Sequence, residues 1–181
     1  MLGAKMAEGT WIGHLYLRPA GAVAASDSDV VTVDLDGLEL DAATLLALRL
    51  LSPLAALPAA HRAGLRILLA GQSSPLLAES CRALGCAVIR NWQQDEIAED
   101  TTFHRVLYGC AGEEPALSAL SPLIARLRQE GQLGLYELPA ASLPRVQDEL
   151  AEHGFSLRAA GTEKMFGFLA GSIENPQQFS A

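Results

Sequence analysis

Apolar positions fall along this chain in two alternating rhythms. Residues 30–34 (VVTVD) form a compact β-branched run, the mark of a buried strand. Similar runs stand at 65–70 (LRILLA), 86–90 (CAVIR), 103–108 (FHRVLY) and 132–138 (QLGLYEL). Between them the spacing turns helical. Asp41 stands where an N-cap belongs, ahead of residues 42–51. That helix is apolar nearly all round, so it must be covered on more than one side. Pro53 and Pro58 break or kink the stretch after it. Ser74 and Pro75 open the next helix, with Leu77, Cys81 and Leu84 on one face and Gly85 as its stop. Glu113, Glu114 and Pro115 open a third, with both carboxylates near its positive end. Its buried face is Leu117, Leu120, Leu123, Ile124 and Leu127. Pro122 is a candidate break, with Ser121 capping the second part, and Gly131 is the end. Ser142 caps a last helix that runs to His153 and stops at Gly154. Residues 11–18 (WIGHLYLR) read as one short strand. Residues 155–159 and 165–170 read as a closing antiparallel pair, and 91–102 as a polar, acidic surface connection.

Strand and helix alternate, which predicts a parallel sheet covered by helices on both faces. The expected fold class is α/β: a three-layer, Rossmann-like, mainly parallel sheet with a C-terminal antiparallel strand pair. An N-terminal extension over residues 1–64, strands plus the apolar helix, is expected to pack on a core domain over 65–175, with a tail over 176–181.

Composition narrows the functional classes. Of 181 residues, 50% are hydrophobic and 19% charged, enough for one sizeable core. The net charge is -8, and lysine occurs only at Lys5 and Lys164. Nucleic acid and anionic membrane are therefore not the expected partners. The longest apolar stretch, 45–60, contains Arg49, Pro53 and Pro58 and falls short of the roughly 20 residues that span a bilayer. The first ten residues lack a signal-peptide core, so a cytoplasmic location is expected. Cys81, Cys86 and Cys110 are odd in number and lack CxxC spacing, so they read as buried thiols, not as a disulfide framework or metal site. His14, His61, His104 and His153 form no Ser–His–Asp constellation. His153 sits in a last helical turn, where a cation is favourable. No catalytic residue and no metal ligand is assigned.

From Arg66 onward the pattern resembles the Rossmann-like fold of S-adenosylmethionine-dependent methyltransferases. Residues 66–71 (RILLAG) stand where that family has its first strand and glycine loop, 86–90 its second strand, and 103–108 the strand before the substrate-side loop. Residues 123–137 (LIARLRQEGQLGLYE) resemble its helix–glycine–strand passage, and 150–155 (LAEHGF) followed by 165–170 its closing helix and antiparallel pair. The resemblance covers about residues 66 to 173. It implies a ligand site at the strand ends, lined by Gly71, Gln72, Ser73, Ser74, Asn91, Trp92, Gly109 and Cys110. The departures are specific. The family approaches its cofactor with several glycines, whereas residues 71–75 (GQSSP) offer one glycine and then a proline. Its ribose-binding acid would fall at Arg90, Asn91 or Trp92. Only about a dozen polar residues separate Arg90 from Phe103, so one strand–helix unit is missing.

A methyltransferase-like domain without these features resembles the N-terminal domain of anamorsin-type proteins, which implies a non-catalytic role in cytosolic iron–sulfur protein assembly. That family's cysteine-rich tail is absent here. The expectation is a protein-interaction domain with no cofactor; the alternative is an active methyltransferase that binds S-adenosylmethionine. Two other patterns compete. Asp34-Leu-Asp36, with Ser73, is similar to the haloacid-dehalogenase phosphatases, but the lysine and the later acid pair are lacking. Residues 31–51 with 65–85 resemble the core of STAS domains, whose phosphorylated residue would be Thr44.

An apolar helix early in the chain and the Trp11–Leu17 segment as an unpaired edge predict a partner, either a second copy in a C2 dimer or another protein.

Overall fold

The computed structural model describes residues 9–19, 30–35, 40–72, 74–89, 101–176 and 179. The chain opens with β1 (Thr10–Ile12), β2 (Leu15–Arg18) and β3 (Val31–Asp34). α1 (Ala42–Leu51) continues into a 3-10 turn over Ser52–Ala56 and the single turn α2 (Ala59–Arg62). Then come β4 (Arg66–Gly71), α3 (Pro75–Ala83), β5 (Ala87–Ile89), β6 (Phe103–Gly109) and α4 (Leu117–Ile124). The chain closes with β7 (Leu127–Pro139), α5 (Leu143–Glu152), β8 (Phe155–Glu163) and β9 (Phe166–Ile173).

The main sheet has the order β5-β4-β6-β7-β9-β8. The first four strands are parallel; β9 runs antiparallel to both β7 and β8. This is the expected α/β class, with the parallel sheet and the closing antiparallel pair in place. The last strand lies inside the sheet, between β7 and the edge strand β8. Among the described residues no strand lies beyond β5.

Two apolar layers sit on the two faces. On one, Ile67 and Leu69 of β4 and Leu107 of β6 meet α1, α3 and the small three-stranded sheet β1-β2-β3. On the other, Leu68, Val106, Leu133 and Leu135 meet Leu120, Leu123 and Ile124 of α4 and Val146 and Leu150 of α5. The residues before β4 therefore share one continuous core with the sheet. Leu46, Ala47, Leu48 and Leu51 of α1 are buried within this chain, on several sides at once, as an all-apolar helix requires. The helix needs no second chain to cover it, and that premise for a partner falls away.

Local chemistry explains the boundaries. The Asp41 carboxylate accepts the Thr44 N–H at 2.7 Å and caps α1; Ser74 Oγ accepts the Leu77 N–H at 3.4 Å and caps α3, with Pro75 at its first position. Gly85 ends α3 at φ +81, where a side chain would be strained.

Several expectations are corrected. Residues 11–18 are a hairpin of β1 and β2, not one strand, because Gly13 turns the chain at φ +55. The carboxylates of Glu113 and Glu114 precede α4 without entering its first turn; Ala116 is its N-cap, and Glu114 pairs with Arg145 instead. Pro122 does not split α4, and Leu127 begins a strand. Ser142 precedes α5 but makes no capping hydrogen bond. His153 does stand at the end of α5, with Nδ1 2.9 Å from the Glu149 carbonyl oxygen.

No helix among the described residues is long and apolar enough to cross a membrane.

Candidate functional site

Parallel sheets bind ligands at the carboxyl ends of their strands. Here β4 and β6 end side by side, with Gly71 paired to Gly109. Gly71 takes φ +66, and a Cβ there would lie 2.4 Å from the Gly109 carbonyl oxygen. Beyond them the chain folds back on itself. The Gln72 N–H donates to the Gly109 carbonyl at 3.2 Å, and the Tyr136 hydroxyl donates to the Gln72 carbonyl at 2.9 Å. A Cβ on Gly109 would come within 1.8 Å of that same Gln72 oxygen. The two strand ends are therefore in backbone contact, and the first loop residue lies across them.

Beside this contact is a cavity of about 250 Å³. Gln72, Ser74 and Leu77 line it from the β4–α3 side, Asp41, Thr44 and Ala47 from α1, and Tyr136 and Glu137 from the end of β7. The N-termini of α1 and α3 converge here. The Thr44 hydroxyl donates to Ser74 Oγ at 3.2 Å and ties the two caps together. Two carboxylates share the wall. Burial, and then the Asp41 carboxylate, push Glu137 above the usual carboxylate range. Glu137 itself holds φ +58, at the bulge where β7 slips register against β9. Burial also pushes the Tyr136 phenol up, so this hydroxyl stays a donor.

The sequence-derived site residues divide. Gly71, Gln72 and Gly109 meet at the strand ends, and Gln72 and Ser74 reach the cavity. Cys110 does not: it is buried on the other face of the sheet, with its thiol pushed up to about 12 by burial. Ser73, Asn91 and Trp92 lie outside the described residues, as does Asp36. Asp34 does not line the cavity; it ends β3 in the small sheet, paired with Arg18 at 2.6 Å. Thr44 is 4% exposed, with its hydroxyl bonded to Ser74. Sequence reasoning missed Asp41, Tyr136 and Glu137 as site residues, and weighed Thr44 only as a phosphorylated residue. Glu137 alone carried a signal, as a charged residue at the carboxyl end of a parallel strand.

No protein-family model and no curated protein matches the sequence. Solved structures do. A ribosomal protein L11 methylase from Lactobacillus delbrueckii subsp. bulgaricus superposes with a TM-score of 0.66 at 18% identity, covering 93% of this chain and 100% of that one. The chain has the Rossmann-like methyltransferase fold. The T. thermophilus 16S rRNA N2 G1207 methyltransferase, solved with AdoMet and guanosine, superposes with a TM-score of 0.53 at 15% identity. It covers 76% of this chain, which spans 44% of that methyltransferase. The superposition with the first structure covers 93% of this chain, more than residues 65–175 alone.

Among the described residues no group of three His, Cys, Asp or Glu could hold a metal ion.

Proposed function

We propose that this methyltransferase-fold domain transfers no methyl group and acts by binding a protein partner. The observation that carries this reading is the contact of Gln72 with Gly109. An adenosyl cofactor is a nucleoside joined through a sulfonium to an amino acid, and the fold holds its polar groups in part with free backbone N–H groups at a glycine loop and helix N-terminus. Here the Gln72 N–H is spent on Gly109, Pro75 has none, and the Leu77 N–H is taken by Ser74. The cavity beside the loop, about 250 Å³, is smaller than the roughly 300 Å³ at which drug-sized ligand pockets begin. These contacts support a closed loop that does not receive the cofactor.

Support for a protein partner comes from the far edge of the sheet. Among the described residues β8 has a neighbour on one side only, its residues 156–160 are exposed, and Leu157 and the hairpin-tip Met165 are 53% and 76% exposed. A free strand edge with apolar side chains is a surface onto which another chain adds. Cys81, Cys86 and Cys110 are all buried and offer no ligand to a surface cluster.

Calorimetry with S-adenosylmethionine tests the reading. No binding is expected. Micromolar binding that Gly71→Asp abolishes would establish an active cofactor site and overturn it.

A further inference from the structure

The opposite edge of the main sheet, where its parallel strands begin, carries different chemistry. Arg66 opens β4, His104 is second in β6 and Arg128 is second in β7. Between the pairs Phe103–Leu127 and Arg105–Gln132 the register slips, so residues 128–131 of β7 stand opposite His104 alone. This excursion holds Glu130 at φ +63, a left-handed conformation that costs a non-glycine residue about 1–2 kcal/mol. It also needs Gly131, where a Cβ would lie 2.8 Å from the Arg128 carbonyl oxygen.

The excursion lays a guanidinium nitrogen of Arg128 2.6 Å from His104 Nε2. The other ring nitrogen, Nδ1, accepts the Arg66 backbone N–H at 3.0 Å. A neutral imidazole has one accepting nitrogen, and a guanidinium only donates. With Nδ1 accepting, Nε2–H and an Arg128 N–H point at each other. Protonation gives no relief, because Nδ1 would then donate towards the Arg66 N–H. Burial, and then Arg128, Arg66, Arg105 and His61, hold His104 below the usual histidine range. An oxyanion set between Nε2 and Arg128 accepts from both and resolves the conflict.

The space for one is there. A cavity of about 230 Å³ is walled by His61 of α2, His104 and Arg105 of β6, and Arg128 and Glu130 of β7. The Arg105 guanidinium is anchored on the His104 carbonyl at 2.9 Å. Among the described residues no carboxylate pairs with Arg105 or Arg128, in a chain of net charge -8. Glu130 opposes an anion, and the two guanidiniums outnumber it.

We propose that this pocket binds a phosphate-class oxyanion, free phosphate or a phosphomonoester, held between His104 and Arg128 with Arg105 beside them. The proposal is independent of whether the opposite edge binds a cofactor.

The test is the titration of His104, followed by NMR of the full chain at constant ionic strength. In chloride, His104 titrates below the ordinary histidine value. Inorganic phosphate raises it by about one unit or more, since an anion favours the imidazolium. Arg128→Gln weakens phosphate binding at least about tenfold, the size of losing one charge-assisted contact. Arg145→Gln, on α5, leaves it unchanged. Methyl phosphate added in place of phosphate separates the two sources: an equal response assigns a monoester, a lost one free phosphate, and both uphold the site. Three results overturn the proposal: no shift with phosphate at tens of millimolar, an equal shift with acetate, or a His104 that titrates above the ordinary value before phosphate is added.

Discussion

The backbone of Gly109 and the carbonyl of Gln72 are in direct contact, so the end of β6 has no room for a side chain. A Cβ there would overlap backbone, which cannot rotate away as a side chain could. Gly109→Ala must separate β6 from the loop after β4 and break the Tyr136–Gln72 hydrogen bond. The expected loss is about 3 kcal/mol, at the upper end for overpacking. Urea denaturation of the two proteins measures it. A loss below about 1 kcal/mol, the lower end for overpacking, would show that the strand ends are not in contact.

Stability should fall at alkaline pH through the thiols. Cys81 and Cys110 are each pushed up from 9.0 to about 12, chiefly by burial. The core accepts only their neutral form. The stability they contribute is therefore complete below about pH 9, where the unfolded thiols are also neutral. It drains away as pH climbs towards 12, because only the unfolded chain can ionise them. Cys81→Ala should flatten the fall between about pH 9 and 11. An unchanged slope would mean that Cys81 is not held neutral.

Arg62 is expected to matter far more than a lone cation on a one-turn helix suggests. It is 8% exposed, and its guanidinium donates to the Leu57 carbonyl at 3.1 Å and the Leu84 carbonyl at 2.9 Å. Leu84 is the C-cap of α3, so Arg62 satisfies a helix end that Gly85 leaves open. Arg62→Ala strands both carbonyls, at a cost of about 3 kcal/mol. Arg62→Lys should recover less than half, because an ammonium lacks the fork that spans two acceptors. Thermal or urea denaturation of both variants decides it.

Leu48 separates self-association from folding. It is 0% exposed, in contact with the core of its own chain. Leu48→Asp should unfold the domain, at more than about 4 kcal/mol for a carboxylate buried without a partner. A folded variant that merely loses an oligomer by light scattering would place this helix at an interface.

Much of the fold was legible because its signals are local. Asp41 and Ser74 announce helix starts through side chains that bond three residues on, and the apolar residues of 65–70 and 103–108 mark strands. The reading failed where distant residues decide. Leu127 continues the apolar stripe of α4 in spacing, yet it is a strand residue, because β6 lies beside it and the Phe103 N–H donates to the Arg126 carbonyl at 2.8 Å. The site was half legible. Gly71, Gln72, Ser74 and Gly109 come from the strand-end rule. Asp41 and Thr44 arrive from another segment, and nothing local marks the left-handed turn of Glu137 that brings it to the cavity.

The position of β9 has a consequence for how the domain is made. Synthesis delivers β7 and then β8, but β8 touches β7 nowhere in the sheet; only β9, emerging last, joins them. Until residue 173 is free, β7 presents a bare flank, and β8 has no neighbour at all. A nascent chain paused near Met165 therefore carries two unmatched ladders, one on β7 and one on β8. Completion of the sheet is a closing step, taken from inside the sheet outward.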